Sequence, residues 1–141
     1  MQMNIELCHP EAKVPVYATE NASACDFFSV ESGLVAYSHP TIFRTGVKVE
    51  VPENSVLLLF PRSGHGFKFD VRLANCVGVI DSDFRGEIKV KLTADANSSL
   101  RVNVGDRIAQ GIWMHAPRIE FVLGKLKETA RGEGGFGSTG S

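Results

Sequence analysis

The chain has 141 residues, enough for one domain with a substantial core and too few for two comfortable ones. Apolar residues make up 43% and charged residues 22%, which is the mixture of an ordinary globular protein. The net charge of -1 excludes a global field that would attract nucleic acid or a membrane surface, so we expect neither as a partner. A polyanionic ligand would have to be met by local arginines and backbone N–H groups.

The three cysteines, Cys8, Cys25 and Cys76, are widely spaced and include no C-x-x-C pair. This pattern disfavours a disulfide framework or a zinc site. We expect the three cysteines to be small buried apolar residues of a protein in a reducing compartment. The N-terminus shows no basic segment followed by an apolar one, and no apolar run approaches the length that crosses a bilayer. We therefore expect a cytoplasmic protein, or one of the host cytoplasm if it is viral.

Short β-rich runs separated by Gly, Pro, Asn and Ser dominate the chain, and helical periodicity is nearly absent. Runs at this spacing predict an all-β sandwich or barrel. We expect one β domain over residues 1–126, followed by a mobile tail over residues 127–141. The predicted strands are Gly46–Val51, Ser55–Phe60, Phe67–Leu73, Val77–Ile80, Glu87–Thr93, Arg107–Trp113 and Ile119–Leu123.

The segment Asn21–Ser29 consists of small residues followed by one acid, Asp26, and two phenylalanines. The pattern fits a surface loop that places both rings in the core. Asp26 is the only acid between Glu20 and Glu31, which leaves it open to a role as the partner of a metal or of an arginine.

The segment Phe60–Lys68 follows the most apolar predicted strand. Pro61 cannot continue a sheet interior, and the two glycines of this segment permit a turn that exposes backbone N–H groups. Arg62 and a serine hydroxyl beside such amides form either a plain surface turn or a phosphate-binding loop.

The segment Asn75–Val90 contains two β-branched runs joined by a turn that holds Asp, Ser and Gly, which predicts a β-hairpin. The turn carries Asp81 and Asp83 and is followed by Phe84. Backbone donors and acceptors between two strands suit recognition of the edge of a planar base, with an acid held beside it.

The segment Val104–Gln110 predicts a turn entering a strand. The two-residue period directs Ile108 inward and places Arg107 and Gln110 on different faces. Gln110 could donate a hydrogen bond to a ligand or to a neighbouring backbone carbonyl.

The last segment, Arg131–Ser141, has too much glycine to hold structure of its own and should be mobile in the free protein. Glycine-rich backbone that presents many N–H groups is a recurring means of wrapping phosphates. The segment is not a Walker A loop, because no Gly-Lys-Ser/Thr follows and no helix is started.

Together these segments resemble the trimeric dUTP pyrophosphatases (dUTPases), whose five motifs occur here in the family's order and cover nearly the whole chain. The third and fifth motifs are highly specific. The matching segments are SACDF (Ser23–Phe27), PRSG (Pro61–Gly64), NCVGVIDSDFRGE (Asn75–Glu87), GDRIAQ (Gly105–Gln110) and RGEGGFGSTG (Arg131–Gly140).

The resemblance implies a jelly-roll-like (β-clip) fold, a homotrimer, and hydrolysis of dUTP to dUMP and pyrophosphate with Mg²⁺. Such an activity keeps uracil out of DNA and supplies dUMP for thymidylate synthesis. The resemblance further implies that Asp81 activates the water that attacks the α-phosphorus. Phe84 would lie under the deoxyribose and exclude a 2′-hydroxyl.

The remaining roles also follow from the resemblance. The uracil edge would pair with Asn75 and with the backbone at Gly78 and Val79. The phosphates would contact Arg62, Ser63, Gly64 and Gln110. The tail residues that would close over the nucleotide, at a site built by other subunits, are Arg131, Phe136, Gly137, Ser138 and Thr139. Asp26 would support the metal indirectly through water, or hold a neighbouring arginine.

Two departures from the family's usual pattern stand out. The first motif has Ala24 where the family has glycine, a change that fits a loop around Asp26 offset by one residue. The aromatic that faces the sugar is often Tyr and is Phe84 here, so the steric role is kept without a phenol hydrogen bond.

Two other functions compete with this interpretation. A dCTP deaminase has a similar third motif but uses a Glu on the strand after the turn, where this chain has Lys89 and Lys91. A regulatory or binding protein would need a partner surface, and Glu31–Phe43 and Asp95–Asn103 are the segments outside the motifs where one could lie.

Overall fold

The computed structural model describes residues 2–138, which form twelve β-strands and one short helix. Among these residues no helix is long and apolar enough to span a membrane. The elements are β1 (Asn4–Leu7), β2 (Val16–Tyr17), β3 (Cys25–Phe28), β4 (Gly33–Ala36), β5 (Thr41–Arg44), β6 (Val47–Glu50), β7 (Ser55–Phe60), α1 (Ser63–Phe69), β8 (Val71–Leu73), β9 (Gly78–Ile80), β10 (Lys89–Ala94), β11 (Ser99–Val102) and β12 (Arg107–His115).

The largest sheet has five strands in the order β2-β3-β12-β7-β9. A three-stranded sheet has the order β5-β10-β8, and two further pairs join β1 to β6 and β11 to β4. Every one of these pairings is antiparallel. The expectation of an all-β fold is confirmed.

The core lies between the sheets and follows the two-residue period of the strands. In β7, Leu57 and Leu59 are buried while their neighbours are partly exposed, and β10 alternates in the same way through Val90 and Leu92. Burying one such side chain contributes about 1.5–3 kcal/mol. The residues that anchor the core most deeply are Phe27, Val35, Phe43, Val71, Val102 and Ile108.

Five of the predicted strands correspond to observed ones, in β6, β7, β9, β10 and β12. The prediction is wrong at the start of Phe67–Leu73, where the chain is helical to Phe69 and only Val71–Leu73 is a strand. No residue of α1 is buried, so this helix has no apolar face that a sequence pattern could reveal. It ends at Asp70 in the left-handed conformation, with φ of 50°.

The predicted hairpin between Val77–Ile80 and Glu87–Thr93 is also wrong. β9 extends the five-stranded sheet by pairing with β7, whereas β10 lies between β5 and β8 in the other sheet. The loop between β9 and β10 therefore crosses from one sheet to the other.

The predicted strand at Ile119–Leu123 is absent from the described chain, because residues 116–138 form neither helix nor strand. We call residues 117–126 the C-terminal arm. Its apolar side chains are almost fully exposed, Leu123 at 102% and Phe121 at 91%. The arm has the sequence of a strand but no partner strand within the described residues.

Replacing Thr45 by valine should lower the free energy of unfolding by about 1–3 kcal/mol. The fully buried Thr45 hydroxyl donates to the Ile88 carbonyl at 2.7 Å and accepts from the Val47 N–H at 3.2 Å. Thr41→Val is the matched control, because the partly exposed Thr41 hydroxyl donates to the Leu34 carbonyl where water can replace it. Urea titration measures both variants, and equal losses would contradict the expectation.

Candidate active site

One group of predicted site residues gathers around Asp26 on β3. The carboxylate is within 3.3 Å of the Arg62 Nε and 3.5 Å of the Arg107 Nε. Asp26 is only 8% exposed, while both arginines reach solvent. Of the two alternatives for Asp26, the described chain provides the arginine partner, and we call these three residues the arginine cluster.

A bulge in β12 places Arg107 and Gln110 on the same face of the strand, beside Asp26. This corrects the prediction that the two residues lie on different faces. The pairing with β3 shifts register between Arg107 and Ala109, so Ile108 and Ala109 are both buried and the two-residue period is interrupted. Arg107 therefore lies opposite Phe28, and Gln110 lies opposite Asp26. Gln110 donates from Nε2 to the Pro61 carbonyl at 2.9 Å.

Beside the arginine cluster is an open cleft of about 440 Å³. Arg62, Arg107 and Arg101 line it, with Asp106 as the acid among its lining residues. Arg107 and Lys13 also lie over the Phe28 ring, 5.9 and 5.3 Å from its centre. The cleft has the cationic lining that an anionic ligand requires.

Ser63 and Gly64 begin α1 directly after Arg62, so their N–H groups belong to the first turn, where a helix offers no intrahelical acceptor. His65 follows and lines the same cleft. Its Nδ1 atom is buried without a hydrogen-bond partner in the described chain. Burial, and then the neighbouring Arg62, lowers the pKa of His65 below its ordinary value, against a weaker opposing effect of Asp106.

A second group lies around β9. Gly78 is buried opposite Leu59, and a Cβ atom there would lie 3.1 Å from the Leu59 Cβ. Val79 is 59% exposed, and β9 is an edge strand whose only strand partner among the described residues is β7, so the other side of its backbone is unpaired there. Asn75 is exposed, and its Nδ2 donates a long hydrogen bond to the Val77 carbonyl at 3.4 Å.

Cys76 corrects the expectation that all three cysteines are buried. It is exposed, in the left-handed conformation with φ of 63°, between Asn75 and Val77. Cys8 and Cys25 are half-buried, and all three thiols are unbridged within the described residues.

Asp81 and Phe84 lie on the loop after β9. Asp81 is exposed and lines a cleft of about 780 Å³, with the turn residues Ser82 and Asp83 beside it. Arg85 fixes this loop, because its Nη1 donates to the carbonyls of Ser82 at 2.7 Å and Phe84 at 3.1 Å. The Phe84 ring is 41% exposed.

One chain does not bring the two groups together. β3 and β9 are three strand spacings apart in the sheet, about 14 Å. Asp26 is level with Phe60, whereas Ile80 is level with Leu57, about 10 Å further along β7. Asp26 and the residue before Asp81 are therefore roughly 17 Å apart, and the two groups line different clefts.

The tail residues form tight turns of their own. Arg131 donates from Nε to the Gly134 carbonyl at 2.8 Å, and the Ser138 N–H donates to the Gly135 carbonyl at 3.0 Å. Phe136 is fully exposed, and Gly137 has φ of 91°. Thr139, the other predicted contact, lies outside the described residues.

Residues 2–138 contain no group of three or more His, Cys, Asp or Glu side chains that could hold a metal. Both oxygens of the Asp26 carboxylate face arginines, which leaves it poorly suited to direct ligation.

Comparison with known proteins shows the family of the chain. Residues 10–140 match the family model of the dUTPases. A deoxyuridine 5′-triphosphate nucleotidohydrolase of Helicobacter pylori is 38% identical, with 99% of this chain and 97% of the relative covered. One of Picosynechococcus sp. is 35% identical over the full length of both chains. The chain therefore belongs to the dUTPase family.

Solved structures agree at the level of the fold. The dUTPase of Staphylococcus bacteriophage 80alpha with dUPNHPP matches with a TM-score of 0.88 at 24% identity, covering 99% of each chain. The same phage protein matches in another structure with a TM-score of 0.81 at 21% identity, covering 91% of this chain. The expected jelly-roll-like fold is confirmed.

Two residues of these groups had no role assigned from the sequence. Arg107 shares the Asp26 carboxylate with Arg62, and Arg85 holds the loop that bears Asp81. The bulge that turns Arg107 towards Asp26 has no sequence signal, since the surrounding segment continues as a regular apolar strand.

Acidification below about pH 6.5 should destabilise the fold in part through His65. The unfolded chain protonates this histidine near 6.5 and the folded chain only at lower pH, so the unfolded state binds more protons in that window and stability falls as the pH falls. Melting temperatures at about pH 7.5 and about 5.5 should differ less in His65→Gln than in the wild type. His39→Gln, at an exposed histidine, is the control and should keep the wild-type difference.

Proposed function

We propose that this protein hydrolyses dUTP to dUMP and pyrophosphate. The observation that carries the proposal is family membership along almost the entire chain, with relatives named deoxyuridine 5′-triphosphate nucleotidohydrolase at 35–38% identity. The reaction removes the precursor of uracil in DNA and supplies dUMP for thymidylate synthesis. The geometry supports particular roles for the residues of both groups.

The group around β9 selects the nucleoside. The exposed backbone at Val79, together with the Asn75 amide, offers donors and acceptors to the uracil edge. A cytosine would leave some of these groups unpaired, and such a mismatch can reject a ligand by about 10⁴-fold. Phe84 lies under the deoxyribose, where its ring excludes a 2′-hydroxyl.

Asp81 is the general base. Its carboxylate is exposed at a cleft, where it can accept a proton from a water molecule as that water attacks the α-phosphorus. A base of this kind contributes on the order of 10²–10⁴ in rate. The reaction needs no covalent intermediate between Asp81 and the nucleotide, because phosphoryl transfer depends mainly on positioning and charge.

The arginine cluster binds the phosphates. Asp26 orients Arg62 and Arg107 through its two carboxylate oxygens, and Gln110 and the start of α1 lie beside them. Donors fixed before the substrate arrives stabilise the charge that develops on the leaving pyrophosphate without reorganising.

Mg²⁺ bound to the triphosphate would neutralise phosphate charge. Asp26 would support it through water or through the arginines rather than as a direct ligand. The contacts of Asp26 support this role, because both of its carboxylate oxygens already face arginines.

The active unit is a homotrimer in which different copies supply the two groups. The separation of about 17 Å between them supports this, because one chain presents either group but not both at one cleft. The exposed apolar side chains of the C-terminal arm supply a surface that requires a partner.

The tail then closes over the bound nucleotide. Arg131 can reach a phosphate, the exposed Phe136 can cover the base, and the N–H groups around Gly137 and Ser138 can donate to phosphate oxygens. Thr139 is assigned to the same contacts. Closure would exclude water other than the attacking molecule.

We place the enzyme in the cytoplasm of a cell or of a viral host. The exposed and unbridged thiol of Cys76 supports this location, because such thiols persist in a reducing compartment.

Asp81→Asn should lower kcat by at least about 10²-fold while dUTP affinity stays within about threefold, because the base acts mainly in the transition state. Pyrophosphate release measures turnover and calorimetry measures binding. Near wild-type turnover would remove Asp81 from the mechanism.

Mixed assemblies test whether the Asp81 group and the arginine cluster of one site come from different copies of the chain. Asp81→Asn and Arg62→Ala chains, co-expressed with different tags and purified through both, should recover up to about a third of wild-type activity, since every trimer that contains both chains pairs the intact halves at about one site in three. Mixtures of Asp81→Asn with Asp81→Ala chains are the control and should stay inactive. If the first mixture also stays inactive, the site is not shared between copies.

Deleting residues 131–141 should reduce turnover by about 10²-fold or more, because positioning and exclusion of water are lost. The melting temperature should change by less than about 2 °C, since the described part of the tail, residues 131–138, contributes no residue to the core. Glu133→Gln, a change within the tail outside the assigned contacts, should keep wild-type turnover. A large fall in the melting temperature of the truncated protein would contradict this role.

A further inference from the structure

We propose that Gly86 is a positioning residue that sets the selectivity for deoxyribose over ribose. This inference rests on the proposed function, because it concerns the ring of Phe84 that faces the sugar. A Cβ atom added to Gly86 would lie 2.5 Å from the Phe84 Cζ and 2.9 Å from its Cε2. The ring therefore rests directly on the backbone of residue 86.

Space, and not backbone conformation, requires the glycine. Gly86 does not have the positive φ that marks glycines such as Gly46, with φ of 67°. Alanine at residue 86 would thus avoid the strain of a positive φ. The consequence of a methyl group here is a collision with one aromatic ring.

The ring is the part that yields. Arg85 holds the backbone around Phe84 through the carbonyls of Ser82 and Phe84, and its Nη2 lies 3.5 Å from the Glu50 Oε1 on β6. Phe84 is 41% exposed, so its ring can rotate away from the added methyl into solvent. A methyl group at residue 86 therefore moves the ring and leaves the fold largely unaffected.

A displaced ring changes which sugar fits. A ring turned aside into solvent opens room for a 2′-hydroxyl, which reduces the preference for dUTP over UTP. Steric exclusion of one small group changes the ratio of kcat/KM values by about 10–200-fold. A substantial part of the preference for dUTP over UTP should therefore be lost.

The test is Gly86→Ala in the full-length protein. We expect the ratio of kcat/KM for dUTP to that for UTP to fall by at least about tenfold, and the inhibition constant of UTP against dUTP to move in the same direction relative to KM. The melting temperature should stay within about 2 °C of the wild type. An unchanged ratio would overturn the inference, and so would a large fall in melting temperature, which would show that the ring cannot yield.

Gly33→Ala is the matched control. A Cβ atom there would lie 3.0 Å from the Phe43 Cε1, but Phe43 is 1% exposed and its ring cannot move away. This variant should lose stability and keep the wild-type nucleotide ratio. Each glycine faces one aromatic ring, so the two variants distinguish a change in nucleotide selectivity, expected for Gly86→Ala, from a change in stability, expected for Gly33→Ala.

A double variant tests whether Gly86 acts through the Phe84 ring. In Phe84→Ala, adding Gly86→Ala should leave the nucleotide ratio unchanged, because no ring remains to be displaced. A further change in the ratio there would assign the effect of residue 86 to something other than Phe84 and overturn the inference. Wild-type protein that fails to hydrolyse dUTP, or that accepts UTP equally, would instead refute the proposed function itself.

Discussion

The pairing of β7 with β12 on one side and with β9 on the other is the constraint on which the site depends. Backbone hydrogen bonds fix the register of both neighbours, so the arginine cluster and the loop bearing Asp81 are held at a set distance. The alternate burial of Leu57 and Leu59 locks that register, since a slip by one residue would expose the core face. The arginine cluster and the loop bearing Asp81 are therefore held apart within one chain.

The sequence predicted the elements that bury an alternating face. Ser55–Phe60 was predicted with its observed bounds, and Ile108 was correctly directed inward, because burial leaves a two-residue period in the residues themselves. It missed α1, which buries no residue, and the short strands β3 and β4, whose apolar runs are brief. Elements held by contacts distant in sequence leave weaker local patterns.

The site shows the same division. The motifs indicated Asp81, Arg62 and Gln110 as candidates, but the sequence predicted one hairpin for the strands on either side of Asp81, whereas they lie in two sheets. The partnership of Asp26 with two arginines depends on the bulge in β12. Local chemistry was thus accessible from the sequence, while its assembly depended on strand pairing.

The bulge in β12 also governs which changes of length the protein can accommodate. Loss of one residue between Arg107 and Gln110 would restore a regular strand and exchange the core-facing and cleft-facing positions on one side of the deletion. The turn at Asp95–Ser98 carries no such coupling and can vary in length at the surface. Insertions and deletions should therefore accumulate unevenly during evolution, with this strand among the segments of most constant length.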